Sequence, residues 1–189
     1  MELHELLKIS ASRHDHLCPR QVLGVRIGLA GLKAIGLTAP MSPHKAALII
    51  IETDGCFADG VEVATGAAVG HRTLRVADLG KIAAVFANVK TGQTIRLAPA
   101  LDVRQSALAY APGVKKKYYA QLKGYQVMPD EELFNFQEVE LDPALGALIS
   151  RPGVRAKCTH CGEEIINERQ LWIDGKVVCL ACAGQGYYR

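Results

Sequence analysis

The chain has 189 residues, of which 49% are hydrophobic, and a formal net charge of +3 at pH 7. A chain of this length can bury one good core and carry a small additional module. The small net charge does not demand a nucleic-acid partner, and no apolar stretch is long enough to cross a bilayer. The N-terminus lacks the basic and apolar regions of a signal peptide, so we expect a cytoplasmic protein.

The first part of the chain is predicted to be helical. A short amphipathic helix is expected at 2–10, followed by a polar loop and a helix at 19–35 whose first residue is a proline. Gly24, Gly28 and Gly31 lie along this second helix at spacings of four and three residues. Because glycine lowers helix propensity, these positions predict very close packing against backbone or a ligand.

Apolar and β-branched runs predict strands in the middle of the chain. A buried strand is expected at 46–52. The helix predicted at 58–65 carries Asp59 in its first turn, where a carboxylate suits the helix dipole. The further strands are predicted at 73–77, 83–90 and 94–97.

The next segment mixes helix, strand and loop signals. A helical region is predicted at 104–122 with an interruption at Pro112-Gly113, then a short helix beginning at Pro129 and an edge strand at 134–141. The one basic run, Lys115-Lys116-Lys117, is interpreted as a solvated helix start rather than a phosphate-binding patch.

Two CxxC pairs near the C-terminus predict a structural zinc site. Cys158 and Cys161 form one pair, Cys179 and Cys182 the other, and four thiolates from two tight turns can share one tetrahedral zinc. The alternatives are redox dithiols or disulfides. A redox CxxC would be a single pair following a strand of a larger α/β unit, so the spacing favours zinc.

Turn signals around these cysteines support the same interpretation. Gly162 follows the first pair, where a zinc knuckle needs a residue that tolerates positive φ. Asp174-Gly175 predicts a hairpin, and a short helix is expected at 181–184. We therefore predict an α+β core at 1–142, a Pro- and Gly-containing linker at 143–157 and a treble-clef zinc finger at 158–189.

A second group of metal-binding residue types lies in the predicted core. His14, His16 and Cys18 alternate immediately before a helix, and Cys56 follows a strand end. If the two loops converge, His16, Cys18 and Cys56 supply three ligands, and the fourth position stays open or is taken by His14. Taken singly, a free cysteine is usually a small core residue and a loop histidine is usually polar surface.

The motifs resemble those of the FmdE family, named for the E subunit of formylmethanofuran dehydrogenase. The matching segments are His14-Asp-His16-Leu-Cys18-Pro19, Asp54-Gly-Cys56 and Ala77-Asp78-Leu79-Gly80-Lys81. The resemblance covers nearly the whole chain and implies a commonly dimeric α+β core, a treble-clef appendage and a metal-binding cleft with an open position. Mixed nitrogen and sulfur ligands suit zinc, and nickel, copper and iron are also compatible.

The chain departs from the family pattern around this cleft. Arg20 stands where glycine is usual and places a guanidinium at the mouth of the expected site. Leu79 replaces a tyrosine, His71 replaces a basic lysine, and the segment 65–68 lacks a cysteine that many members carry. Lys81 is retained. Arg20 and Lys81 are therefore candidates for holding an anionic ligand, although Lys81 could equally form a solvated pair with Asp78.

Three functions are compatible with the sequence. The first is a metal-binding accessory protein that serves a molybdenum or tungsten enzyme, or handles its cofactor or metal. The second is a metal-dependent hydrolase or lyase at the core site, with His14, Asp54 or Asp59 as general base, or Cys18 as a nucleophile. The third is a finger that binds protein or nucleic acid, against which the finger's balanced charge argues in the nucleic-acid case.

Overall fold

A computed structural model describes residues 1–14, 16–41, 45–149 and 153–188. The chain divides into two compact units, Met1–Leu141 and Asp142–Arg189. The first is a mixed α/β unit, and the second is small and carries four clustered cysteines. The predicted fold class, an α+β core with a C-terminal cysteine finger, is confirmed.

The first unit contains helices and strands in an alternating order. Its helices are α1 (Leu3–Ala11), α2 (Pro19–Ala34), α3 (Cys56–Thr65), α4 (Val103–Ala109), α5 (Lys117–Val127) and α6 (Asp130–Leu133). Its strands are β1 (Ala47–Ile51), β2 (Leu74–Val76), β3 (Ala84–Asn88), β4 (Thr94–Pro99) and β5 (Phe134–Glu138). The predicted positions agree with these elements, but several ends differ.

The largest difference is at the end of α5, which continues past the predicted end at residue 122. Gly124 lies inside this helix and is buried. A Cβ atom at this position would lie 2.4 Å from the carbonyl oxygen of Ala107 in α4. The glycine therefore permits two backbones to touch rather than ending the helix, which local sequence signals could not distinguish.

The strands form one five-stranded sheet in the order β2-β1-β3-β4-β5. The β1–β2 pair is parallel and the other pairs are antiparallel. Ile49, Phe86 and Ile95 lie opposite one another across β1, β3 and β4, and all three belong to the buried core. The strand predicted to lie at an edge, β5, does so.

Helices α2 and α3 approach each other closely because glycines face backbone. A Cβ on Gly24 would lie 2.3 Å from the carbonyl oxygen of Phe57, and a Cβ on Gly28 would lie 2.7 Å from the Cβ of Ala64. These glycines confirm the predicted close packing, and the partner is the neighbouring helix. Because the contacts advance in the same direction along both helices, α2 and α3 run parallel with their N-termini at the same end.

Arg26 joins α2 to the C-terminal end of α5. Its guanidinium donates to the carbonyl oxygens of Tyr125 at 2.7 Å and Met128 at 2.6 Å, and to Asp130 Oδ1 at 2.8 Å. The first two bonds satisfy carbonyls that a helix end leaves without intrahelical partners. The side chain is 11% exposed, so this contact is largely shielded from water.

The second unit is built from short hairpins. Its elements are α7 (Leu145–Leu148), β6 (Arg155–Lys157), β7 (Glu164–Ile166), β8 (Leu171–Ile173), β9 (Lys176–Val178) and a π-helical turn (Ala181–Gln185). The pairs β6–β7 and β8–β9 are antiparallel. Gly162, Asp174 and Gly175 have φ values of 78°, 49° and 72°, which confirms the predicted knuckle and hairpin turns. The segment proposed as a linker thus contains α7 and β6.

Candidate metal centre and thiol site

The four finger cysteines come together. Cys158 and Cys161 lie between β6 and β7, and Cys179 and Cys182 follow β9. Their sulfurs lie within 4.8 Å of one another, and within the described residues they are the one such group of three or more Cys, His, Asp or Glu ligands. This arrangement could hold a metal ion, and four sulfur donors from two tight turns fit a structural zinc.

The electrostatics of this cluster favour a bound cation. Backbone N–H groups of Cys161 and then Cys179 lower the pKa of the Cys158 thiol to about 6. Hydrogen bonding to Cys179, followed by burial, raises the pKa of Cys182 to about 12. The first thiolate is therefore stabilised by backbone donors, whereas later ones are opposed by neighbouring sulfurs. A divalent cation removes that opposition by neutralising the shared charge.

In the first unit, Cys18 occupies the N-cap of α2. Its Sγ accepts a hydrogen bond from the backbone N–H of Gln21 at 3.4 Å, and the Gln21 side-chain oxygen accepts one from the Cys18 N–H at 2.8 Å. This reciprocal capping holds the thiol at the start of the helix. Cys18 is buried.

Cys56 is the first residue of α3 and lies beside Cys18. Burial raises the pKa of the Cys56 thiol, hydrogen bonding to Cys18 raises it further, and the Arg20 guanidinium lowers it. The parallel packing of α2 and α3 explains this proximity, since both thiols stand at the N-termini of adjacent helices. The structure thus brings the two predicted core thiols together.

His14 is held at the same end of the unit by Asp59. The distance from His14 Nε2 to Asp59 Oδ2 is 2.5 Å. Arg13 donates to Asp59 Oδ1 at 3.4 Å and to Glu62 Oε2 at 2.7 Å. A carboxylate on one ring nitrogen is the arrangement that orients metal-binding histidines and leaves the other nitrogen available. Asp59, a candidate general base from sequence, is thus engaged in orienting His14.

The other predicted site residues have less defined surroundings. His16 and Asp54 are exposed, and within the described residues neither joins Cys18 and Cys56 in a group of ligand atoms within 4.8 Å. Lys81 is exposed, and its backbone N–H donates to the Glu52 carbonyl at 3.1 Å. The roles of these three residues stay predictions.

Tyr118 was missed by sequence reasoning. Burial raises its pKa first, the charges of Cys18 and Cys56 contribute further, and Arg20 lowers it. The phenol therefore lies within electrostatic range of the thiol pair. It stands in the first turn of α5. No local signal marks this position, because its proximity depends on how α5 packs.

These features define a class of protein: an α+β domain that presents a thiol pair at paired helix N-termini, joined to a four-cysteine module. The family model described as "FmdE, Molybdenum formylmethanofuran dehydrogenase operon" matches residues 13–135. The chain therefore belongs to the FmdE family, as its motifs predicted. No helix in the described part of the chain is both long and apolar enough to span a membrane.

Two similar proteins add detail to this membership. A crystal structure of an FmdE-like protein of tungsten formylmethanofuran dehydrogenase, from Syntrophus aciditrophicus, has a TM-score of 0.59 and 19% identity, covering 100% of this chain and 96% of that one. A probable S-adenosyl-L-methionine-binding protein from Archaeoglobus fulgidus is 29% identical over 207 residues, covering 98% of this chain. The chain spans about half of that relative's length, 54%.

Proposed function

We propose that this protein is a metal-binding accessory protein related to the E subunit of formylmethanofuran dehydrogenase. It would serve a molybdenum or tungsten enzyme in the cytoplasm, as a partner subunit or in handling the cofactor or metal. The observation that carries the proposal is the thiol pair Cys18 and Cys56 beside a histidine held by a carboxylate. The membership of the FmdE family supports an accessory role of this kind.

The donor set supports a metal ion at the core site. Two thiols and an imidazole suit zinc and related transition metals. Both thiols stand at helix N-termini, which stabilise the thiolate form that a metal requires. We propose Cys18, Cys56, His14 and His16 as the protein ligands. The ion, when bound, would act as a Lewis acid, while Asp59 fixes the orientation of the His14 ring.

The finger is proposed to hold a structural zinc ion through Cys158, Cys161, Cys179 and Cys182. It carries no large core of its own, since its buried residues are few: Cys158, Ile165 and Val178. A small module of this kind draws its folding free energy from the metal. The proposed homodimer would form independently of this ion if it is built from the α+β core.

Elemental analysis of the purified chain tests the metal sites. We expect two metal ions per chain, falling to one in Cys18→Ser/Cys56→Ser. Anomalous scattering above and below the zinc edge would identify each ion. A single metal per chain in the unmodified protein, unchanged in the double variant, would remove the core site and leave only the finger.

Co-purification tests the accessory role. The tagged full chain should retain a molybdenum- or tungsten-containing enzyme from its own cells, and Cys18→Ser/Cys56→Ser should retain less. If the protein instead hydrolyses small esters or amides and chelation abolishes that activity, the stand-alone hydrolase takes precedence. Salt-sensitive retention on nucleic acid would favour the finger as a binding module.

A second candidate function is binding of S-adenosyl-L-methionine. The similarity to the Archaeoglobus protein extends over 98% of this chain, although that protein has a further region of comparable size. Calorimetric titration of the full chain with S-adenosyl-L-methionine tests this function directly. Heat of binding that saturates at one ligand per chain supports it, and its absence at millimolar ligand rejects it.

A further inference from the structure

The first turns of three helices meet at the core thiols. Helices α2 and α3 are parallel through their glycine contacts, so Cys18 and Cys56 share one end of the pair. Helix α5 begins at this same end, because Tyr118 lies within electrostatic range of both thiols. Its other end is held by Arg26, about two turns further along α2. The three positive ends of the helix dipoles therefore point to one region.

Four cationic side chains surround that region. Arg20 lies in the first turn of α2, and Lys115, Lys116 and Lys117 lead into α5 directly before Tyr118. All four are exposed. In the described part of the chain, none of them forms an ion pair with a carboxylate. The run that sequence suggested was a solvated helix start thus stands next to the thiol site.

This placement of charge is unfavourable without a ligand. Lysines at a helix N-terminus oppose the helix dipole, and the first turns of α2 and α5 contain no acidic residue. The carboxylates of the neighbouring elements are already engaged. Asp59 and Glu62 contact Arg13, and Glu52 accepts two bonds from Arg96 at 2.6 and 2.8 Å. Asp54 is exposed and leaves the balance of these described charges positive.

We propose that the core site takes a small oxyanion, which Arg20 and the lysine run Lys115–Lys117 hold beside the thiol pair and which Tyr118 flanks. An arginine fork matches two oxygens of a tetrahedral oxyanion, and lysines add point charges around it. A phenol supplies one neutral donor. The inference rests on the proposed function for the location of the site. It adds that the ligand there is anionic.

Equilibrium dialysis against molybdate and against inorganic phosphate, with elemental analysis of the bound ion, tests the inference on the full chain. The informative variants are Arg20→Gln and the triple variant Lys115→Gln/Lys116→Gln/Lys117→Gln. The matched control removes three exposed lysines elsewhere, Lys8→Gln/Lys33→Gln/Lys90→Gln. We expect each informative variant to weaken binding at least about tenfold, and the control less than about twofold.

Two ligand sources share this chemistry. Tighter binding of molybdate than of phosphate indicates a free metal oxyanion, whereas tighter binding of a nucleoside monophosphate than of either indicates the phosphate group of a larger molecule. Equal weakening in the triple variant and its control overturns the inference, as does no binding at millimolar concentration. Loss of oxyanion binding with two metals per chain retained overturns this inference alone. Oxyanion binding with no core metal overturns the proposed metal site instead.

Discussion

Gly24 and Phe57 make the contact on which the thiol site depends: a Cβ on Gly24 would lie 2.3 Å from the Phe57 carbonyl oxygen. No side chain fits between the two helices at this level. The backbones of α2 and α3 are therefore in direct contact one and a half turns from Cys18, and the two thiols stand at neighbouring helix starts.

The substitution Gly24→Ala should destabilise the first unit. Alanine has the better helix propensity, but its methyl group would collide with backbone that cannot move aside as a flexible side chain can. We expect a net loss of about 1–3 kcal/mol in the free energy of unfolding, measured by denaturant titration. Gly70→Ala is the matched control, since nothing lies within 4 Å of a Cβ there. An equal effect in the two variants would contradict the close crossing.

Removing the orienting carboxylate should weaken metal binding at the core site. In Asp59→Asn, His14 loses its charged partner, and we expect metal affinity to fall by about 10–100-fold in a competition assay with a chelator. Glu62→Gln is the control, because Glu62 shares the contact with Arg13 but does not touch His14. If both variants lose the same affinity, the Arg13 network rather than the histidine is responsible.

Stripping zinc should unfold the finger and leave the first unit folded. Cys158→Ser or Cys182→Ser should have the same result, because each removes one of four ligands from a module with few buried residues. The indole signal of Trp172, the single tryptophan, reports on the finger by NMR. Persistence of its folded chemical shift after chelation would show that the finger does not depend on the metal.

Loss of the Arg26 contact should loosen α5. The variant Arg26→Met leaves the Tyr125 and Met128 carbonyls without this donor, and we expect a loss of about 2–4 kcal/mol in the free energy of unfolding. Asp130→Asn removes only the ion pair and should cost less, about 1 kcal/mol. Similar losses in the two variants would assign the stabilisation to the ion pair instead of the carbonyls.

The ionisation of Tyr118 reports on the thiol pair. Its pKa is raised by burial first and then by the charges of Cys18 and Cys56, while Arg20 lowers it. We therefore expect Cys18→Ser/Cys56→Ser to lower the Tyr118 pKa part of the way toward its ordinary value, and Arg20→Gln to raise it. Titration of ring-labelled tyrosine by NMR, assigned with Tyr118→Phe, measures both shifts. A Tyr118 pKa that responds to neither change would place the ring away from the thiols.

Local sequence signals predicted most elements correctly. The two CxxC pairs, the Asp174-Gly175 turn and the glycine spacing along α2 each depend on residues close in the chain. Element ends were less well predicted. Helix α3 begins at Cys56 rather than at residue 58, so the second core thiol lies within the first helical turn, where propensity alone gives no clear boundary.

The sequence by itself determined that this protein has a four-cysteine module and a core with thiols near helix starts, because spacing and turn chemistry are properties of short segments. Only the tertiary structure decided that His14 rests on Asp59, and that Tyr118 and the lysine run reach the thiols. The physical reason is that these contacts follow from backbone-to-backbone packing of parallel helices. Such packing joins residues that no local pattern relates.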